Sequence, residues 1–130
     1  ANRSLMVQPK EEVGVARQNI VEMVLSLNPR PDYLLFYGDD NLPPNNALWL
    51  LHETMQKTGS GAVSGLYYMK NANPEIPIMW RNDKQGVLTP EKDFQWGDAV
   101  EVDGTGLDFC LFKTEALAQM PPLKFKTELF

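Results

Sequence analysis

Cysteine and histidine are nearly missing from this chain. A single cysteine, Cys110, excludes an internal disulfide and any multi-cysteine metal centre. A single histidine, His52, excludes paired-histidine zinc sites and most Ser/His/Asp arrangements. No apolar run approaches the ~20 residues that a membrane-spanning helix needs. The start, Ala1-Asn2-Arg3-Ser4, has neither the basic-then-apolar pattern of a secretory signal nor an initiator methionine. A reduced, cytoplasmic compartment is the expectation. Basic residues are also outnumbered, with 12 Lys and Arg against 17 Asp and Glu, a net charge of −5. That balance disfavours nonspecific binding to nucleic acid or to an anionic membrane.

What is present is ordinary globular material. Over 130 residues, 43% are hydrophobic and 22% charged, enough for one core and one domain. Val13, Ala16, Ile20, Val24 and Leu27 recur at steps of three and four, with Val21 and Leu25 widening the stripe. This predicts an amphipathic helix that ends at Asn28-Pro29-Arg30-Pro31. Asp32 to Tyr37 is short, apolar and bounded by breakers, as in a strand covered on both faces. A second helix is expected over Ala47 to Lys57, capped by Asn45 or Asn46 and by Gly59. Ala62 to Met69 reads as the next strand. Ile76 to Trp80 and Gly86 to Leu88 suit a hairpin around Asn82 to Gln85. Leu107 to Lys113 reads as a buried strand, followed by a short helix from Thr114 to Gln119. Alternating helices and strands predict an α/β sheet, mixed and mostly parallel, in three layers.

The sharpest chemical feature is Asp39-Asp40 at the end of the first strand, followed by Asn41. Adjacent carboxylates and an amide make a hard-oxygen set suited to Mg²⁺ or Mn²⁺. Gly, Asp, Asn and Pro also make a plain polar turn. Arg17 and Asn19, early in the first helix, suit phosphate or a solvated turn. Trp80, Tyr67 and Tyr68 suit a stacking surface or core packing. Gly65, Gly104 and Gly106 allow close backbone approach to a ligand or simply turn the chain. Six acids, Glu91, Asp93, Asp98, Glu101, Asp103 and Asp108, stand against Lys92 alone in residues 91–108. They read as a solvated face, with Asp103 placed best to touch a ligand. His52 and Cys110 read as structural.

Ala16-Arg17-Gln18-Asn19, the apolar strand into Gly38-Asp39-Asp40-Asn41, Pro43-Pro44, Ser64-Gly65 and Gly104-Thr105-Gly106 leading to Lys113 follow one another in a familiar order. Over residues 13 to 117 the chain resembles family 2 of the GT-A fold glycosyltransferases. The resemblance implies a three-layer GT-A-like core for a nucleotide-diphospho-sugar transferase. It implies a metal at Asp40 and Asp39, and nucleotide-sugar contacts at Arg17, Asn19, Gly65, Asp103, Gly104 and Gly106. The catalytic base stays unassigned, and Thr127-Glu128-Leu129 matches only the beginning of the family's Glu-Asp pair. Gly38 replaces the first aspartate of the Asp-x-Asp pattern. The family's first strand has no counterpart before Val13, so the core reads as truncated at its N-terminus. Two expectations follow: sugar transfer to an acceptor hydroxyl, or a non-catalytic remnant that binds or assembles. A homodimer or larger assembly is expected, since a second copy would cover the uncovered sheet edge.

Overall fold

A computed structural model describes residues 13–39 and 41–121. The elements are α1 (Val13–Ser26), β1 (Tyr33–Tyr37), α2 (Ala47–Thr58), β2 (Ala62–Ser64), β3 (Met79–Asn82), β4 (Leu88–Pro90), β5 (Gly104–Thr105), β6 (Phe109–Lys113) and α3 (Thr114–Gln119). They form two three-stranded sheets, in the orders β1-β6-β2 and β4-β3-β5.

The three-layer, mostly parallel GT-A-like core is not what the chain forms. Both sheets are small and antiparallel. The physical reason lies in β6. β1, α2 and β2 have the order of a crossover unit, but β1 and β2 are not neighbours: β6 lies between them. Its pairing with β1 runs antiparallel, with the Gly38 N–H donating to the Asp108 carbonyl at 2.7 Å and the Thr114 N–H to the Asp32 carbonyl at 3.0 Å. The strand buried on both faces is therefore β6, where Phe109, Cys110 and Leu111 are all buried. β1 lies at the sheet's edge, which leaves Tyr37 52% exposed and only Phe36 fully inside. An apolar run does not distinguish an edge strand from a central one.

The chain divides into two compact units, and the boundary passes through β1 and β6. In one unit α1 packs on α3. Val21 and Val24 on α1 and Leu117 on α3 are buried there. The buried line on α1 runs through Gly14, Gln18 and Val21, while Leu27 is exposed and Ala16 and Ile20 are half-buried. Apolar residues cover so much of this helix that periodicity alone does not choose the inward face. Thr114 is buried because its hydroxyl donates to the Pro31 carbonyl at 2.6 Å.

The other unit spans Leu35–Leu111. Its core joins Ala47, Leu51 and Met55, one face of α2, to Phe109 and Leu111 of β6, with Leu35 and Val63 packed against them. The step of four residues along α2 places these three on one stripe. Met55 has no exposed surface, and burying such a side chain contributes about 1.5–3 kcal/mol. Gly59 ends α2 in the left-handed conformation (φ 71°), its N–H donating to the Met55 carbonyl at 2.9 Å. A β-branched residue there would be strained.

The second sheet is built on a hairpin. Asn82 faces Leu88 and Arg81 faces Thr89 across β3 and β4. Its turn is held by Asp83, whose carboxylate accepts from the N–H groups of Gln85 (2.8 Å) and Val87 (2.9 Å). Arg81 ties the hairpin to the acidic segment beyond it, through Glu91 at 2.5 Å and the Glu101 carbonyl at 2.6 Å. The Asp93 N–H and the Arg81 guanidinium hold the Glu91 carboxyl below the usual carboxylate range. A depressed folded pKa gives stability above the group's unfolded pKa, and this is lost as pH falls through the folded value. Arg81→Ala is expected to raise the Glu91 pKa partway, because the Asp93 N–H remains. A carboxyl-detected NMR titration of both proteins reads this; an unchanged Glu91 midpoint would contradict the pairing.

Candidate functional site

Two strand ends and one strand start meet in the Leu35–Leu111 unit. β1 runs into Gly38 and Asp39, β2 runs into Gly65, and Asp108 immediately precedes β6. The backbone of Asp108 fastens these pieces. Its carbonyl accepts from the Gly38 N–H at 2.7 Å and from the Asn41 side-chain amide at 2.9 Å. Its N–H donates to the Tyr67 hydroxyl at 3.3 Å. Tyr37 closes the β1 side: its hydroxyl donates to the Asn41 carbonyl at 3.1 Å, and its ring stands edge-to-face with Phe109, centroids 5.4 Å apart. On the β2 side the Gly65 N–H donates to the Phe109 carbonyl at 2.9 Å. The Ser64 hydroxyl lies 2.9 Å from the Gly65 carbonyl and 3.3 Å from that of Gly106.

Three glycines here sit against close neighbours, and at Gly106 the approach leaves no room for a side chain. A Cβ on Gly106 would fall 1.6 Å from the Tyr67 hydroxyl oxygen and 2.8 Å from Ile78 Cγ2. A Cβ on Gly65 would lie 3.1 Å from the Phe109 ring. The close approach at Gly65 is thus to Phe109. At Gly38 a Cβ would lie 3.2 Å from both Cβ and Cγ of Asp108. The Asp108 carboxylate therefore occupies the space that a side chain at position 38 would take.

A side chain at position 38 would crowd the Asp108 side chain, which must give by a few tenths of an ångström to admit it. Gly38→Asp is expected to place like charges opposite each other and cost about 1–2 kcal/mol. Adding Asp108→Gly should restore most of it. Urea denaturation of the single and double variants checks this, and additive losses would contradict the contact.

The remaining positions are spread more widely. Asp39 is exposed beside Gly38, whereas Asp40 lies outside the described residues, as do Thr127, Glu128 and Leu129. Asp103 and Gly104 belong to the second sheet. The Asp103 N–H donates to the Trp80 carbonyl at 2.9 Å and its carboxylate accepts from the Asn82 N–H at 2.7 Å. Gly104 faces Trp80 in register. Arg17 and Asn19 lie on α1, in the other unit, both half-buried. His52 sits 3.3 Å from Gln56 one helical turn away, and Cys110 is buried in β6. Trp80 lies against Gly104, the Tyr67 hydroxyl accepts from the Asp108 N–H, and the Tyr68 ring neighbours Trp96. Asp108, Asn41 and Tyr67 were not singled out together by the sequence. The available signal was an acid placed directly before the apolar run of β6.

No group of three or more His, Cys, Asp or Glu side chains able to hold a metal ion occurs among the described residues. No helix among them is long and apolar enough to cross a membrane. Compared with known proteins, the chain matches no family model, no curated protein and no solved structure.

Proposed function

We propose that this chain binds a nucleoside-diphosphate sugar at the junction of Gly38, Asp39, Gly65, Gly106 and Asp108, and transfers the sugar to an acceptor hydroxyl. The observation that carries the reading is the convergence on Asp108. It brings together the end of β1 before Asp39, the Ser64-Gly65 turn beside Phe109 and the Tyr67 hydroxyl that packs on Gly106. The glycines let these pieces pack closely, with the Gly38 and Gly65 N–H groups spent on the Asp108 and Phe109 carbonyls, so the diphosphate would be held through the metal. The oxygen-only donor set of Asp39 and Asp108, with Asn41, is of the hard type that Mg²⁺ and Mn²⁺ prefer. These side chains are too few to hold the ion alone, so Asp40, diphosphate oxygens and water would complete its shell. Such an ion would neutralise the diphosphate and assist its departure.

A binding module without transfer is favoured by one observation. Asp103 and Gly104, two of the expected nucleotide contacts, hold the second sheet together. The same proposal places the protein in a reduced, cytoplasmic compartment as a homo-oligomer. The exposed apolar residues Leu48, Trp49 and Leu50 on α2 support the latter.

Calorimetry with nucleoside diphosphates and their sugars, with and without Mn²⁺, tests the proposal. Binding that needs the metal supports it. Hydrolysis or transfer of the bound sugar separates an enzyme from a module. Absence of nucleotide binding in both conditions would overturn the transfer reading and leave the non-catalytic module.

A further inference from the structure

The chain exposes one tryptophan far more than its packing requires. Trp96 is 78% exposed. It sits in a turn closed from both sides: the Asp98 N–H donates to the Gln95 carbonyl at 3.0 Å, and the Gln95 N–H to the Asp98 carboxylate at 3.0 Å. Gly97 takes the positive φ of 94° that this turn needs. Upstream, the Asp93 N–H is held by Glu91 at 3.0 Å. The indole has two aromatic neighbours, Tyr68 at 6.4 Å and 47°, and Phe94 at 6.3 Å and 77°. These inclined rings flank the indole and leave most of it open. The arrangement is a supported aromatic face presented to solvent by a preformed turn.

The surroundings decide what such a face would take. Residues 91–98 carry Glu91, Asp93 and Asp98 against Lys92, and Arg81 pairs with Glu91, a local charge of −3 + 2 = −1 within a chain of −5. Phosphate-bearing surfaces, whether nucleic acid or anionic lipid, are repelled. Hydroxyl donors are not, because carboxylates accept several hydrogen bonds each and Gln95 both donates and accepts. A pyranose combines an apolar C–H face, which stacks on an aromatic ring, with a rim of hydroxyls.

We propose that Trp96, flanked by Tyr68 and Phe94, is the stacking platform for a neutral saccharide, the acceptor of the transfer. The choice of ligand rests on the sugar-transfer reading; the platform itself is tested without nucleotide or metal. The experiment titrates the full chain with maltotetraose, cellotetraose, chitotetraose and mannotetraose, read by tryptophan fluorescence and saturation-transfer NMR. Tetramethylammonium serves as a probe for a cation site, since aromatic rings beside acids also bind cations. At least one saccharide should bind in the roughly millimolar range. Trp96→Ala should weaken it about tenfold or more, and Trp96→Phe less. Trp49→Ala, on the exposed side of α2, should leave the saccharide affinity unchanged. Metal-dependent nucleotide binding should be the same in Trp96→Ala and its parent. Three results would each overturn the platform: no saccharide binding by the parent, equal binding by Trp96→Ala, or Trp96-dependent binding of tetramethylammonium alone. Saccharide binding through Trp96 in a protein that binds no nucleotide would uphold the platform and remove the transferase reading instead.

Discussion

Gly106→Ala should strongly destabilise the protein through the junction around Asp108. The new methyl group would sit 1.6 Å from the Tyr67 hydroxyl oxygen, 2.6 Å from Tyr67 Cζ and 2.8 Å from Ile78 Cγ2. Rotating the tyrosine away relieves only part of this, because Ile78 remains, and it breaks the bond from the Asp108 N–H. Overpacking of this kind costs about 1–3 kcal/mol, occasionally more. Losing the bond from this half-buried N–H adds about 1 kcal/mol. The expected total is on the order of 3 kcal/mol, read as a lower urea midpoint with an unchanged slope. Gly106→Ala combined with Tyr67→Ala should recover only the Tyr67 share of the steric cost, because the Ile78 contact remains. A Gly106→Ala protein as stable as its parent would show that Tyr67 does not close this corner.

Asp40→Asn should abolish metal-dependent nucleotide binding, while Asp39→Asn should weaken it less. Neither substitution changes side-chain volume greatly, so the effect reports charge and not packing. Mg²⁺ takes six oxygens and usually draws several from phosphate and water. Removing one of very few carboxylates therefore removes a large share of what the protein supplies. Asp40 stands where the Asp-x-Asp pattern has its metal-holding carboxylate and Asp39 at the pattern's middle position, so the two are not expected to be equivalent. Asp108→Asn is expected to fall between them, since its carboxylate stands where a residue at 38 would. Calorimetry with and without Mn²⁺ separates the three. Unchanged binding in Asp40→Asn would make Gly38 to Asn41 a plain turn.

How much of this was legible in the sequence differs by element. The two long helices and the hairpin are set by local signals: a stripe with a left-handed Gly59 at its end, and an Asp83-centred turn between β3 and β4. These act within a few residues, so a sequence reading reaches them. The sheet order is not local. Nothing in Tyr33 to Tyr37 reveals that β6, more than 70 residues later, will pair with it antiparallel and leave it at an edge. Ala62 to Met69 shows the same limit. Only Ala62–Ser64 joins β6; beyond Gly65 the chain turns to pair Tyr68 with Pro77. Asp39, Gly65 and Gly106 stand out by residue type, and the structure brings them to one junction. Asp108, which fastens that junction, is one acid among six in its segment, and only its position before β6 distinguishes it.

The central claim is that a nucleotide-bound metal sits at the Asp108 junction. Mn²⁺ is paramagnetic and broadens the NMR signals of nearby nuclei. Uniformly ¹⁵N-labelled protein should therefore be titrated with Mn²⁺ together with uridine, guanosine or adenosine diphosphate. The account predicts that with at least one of them the amide signals of Gly38, Asp39, Gly65 and Asp108 broaden first, while those of Arg81 and Thr89 in the hairpin persist. No nucleotide-dependent broadening, or broadening confined to the acidic segment from Glu91 to Asp98, would contradict it.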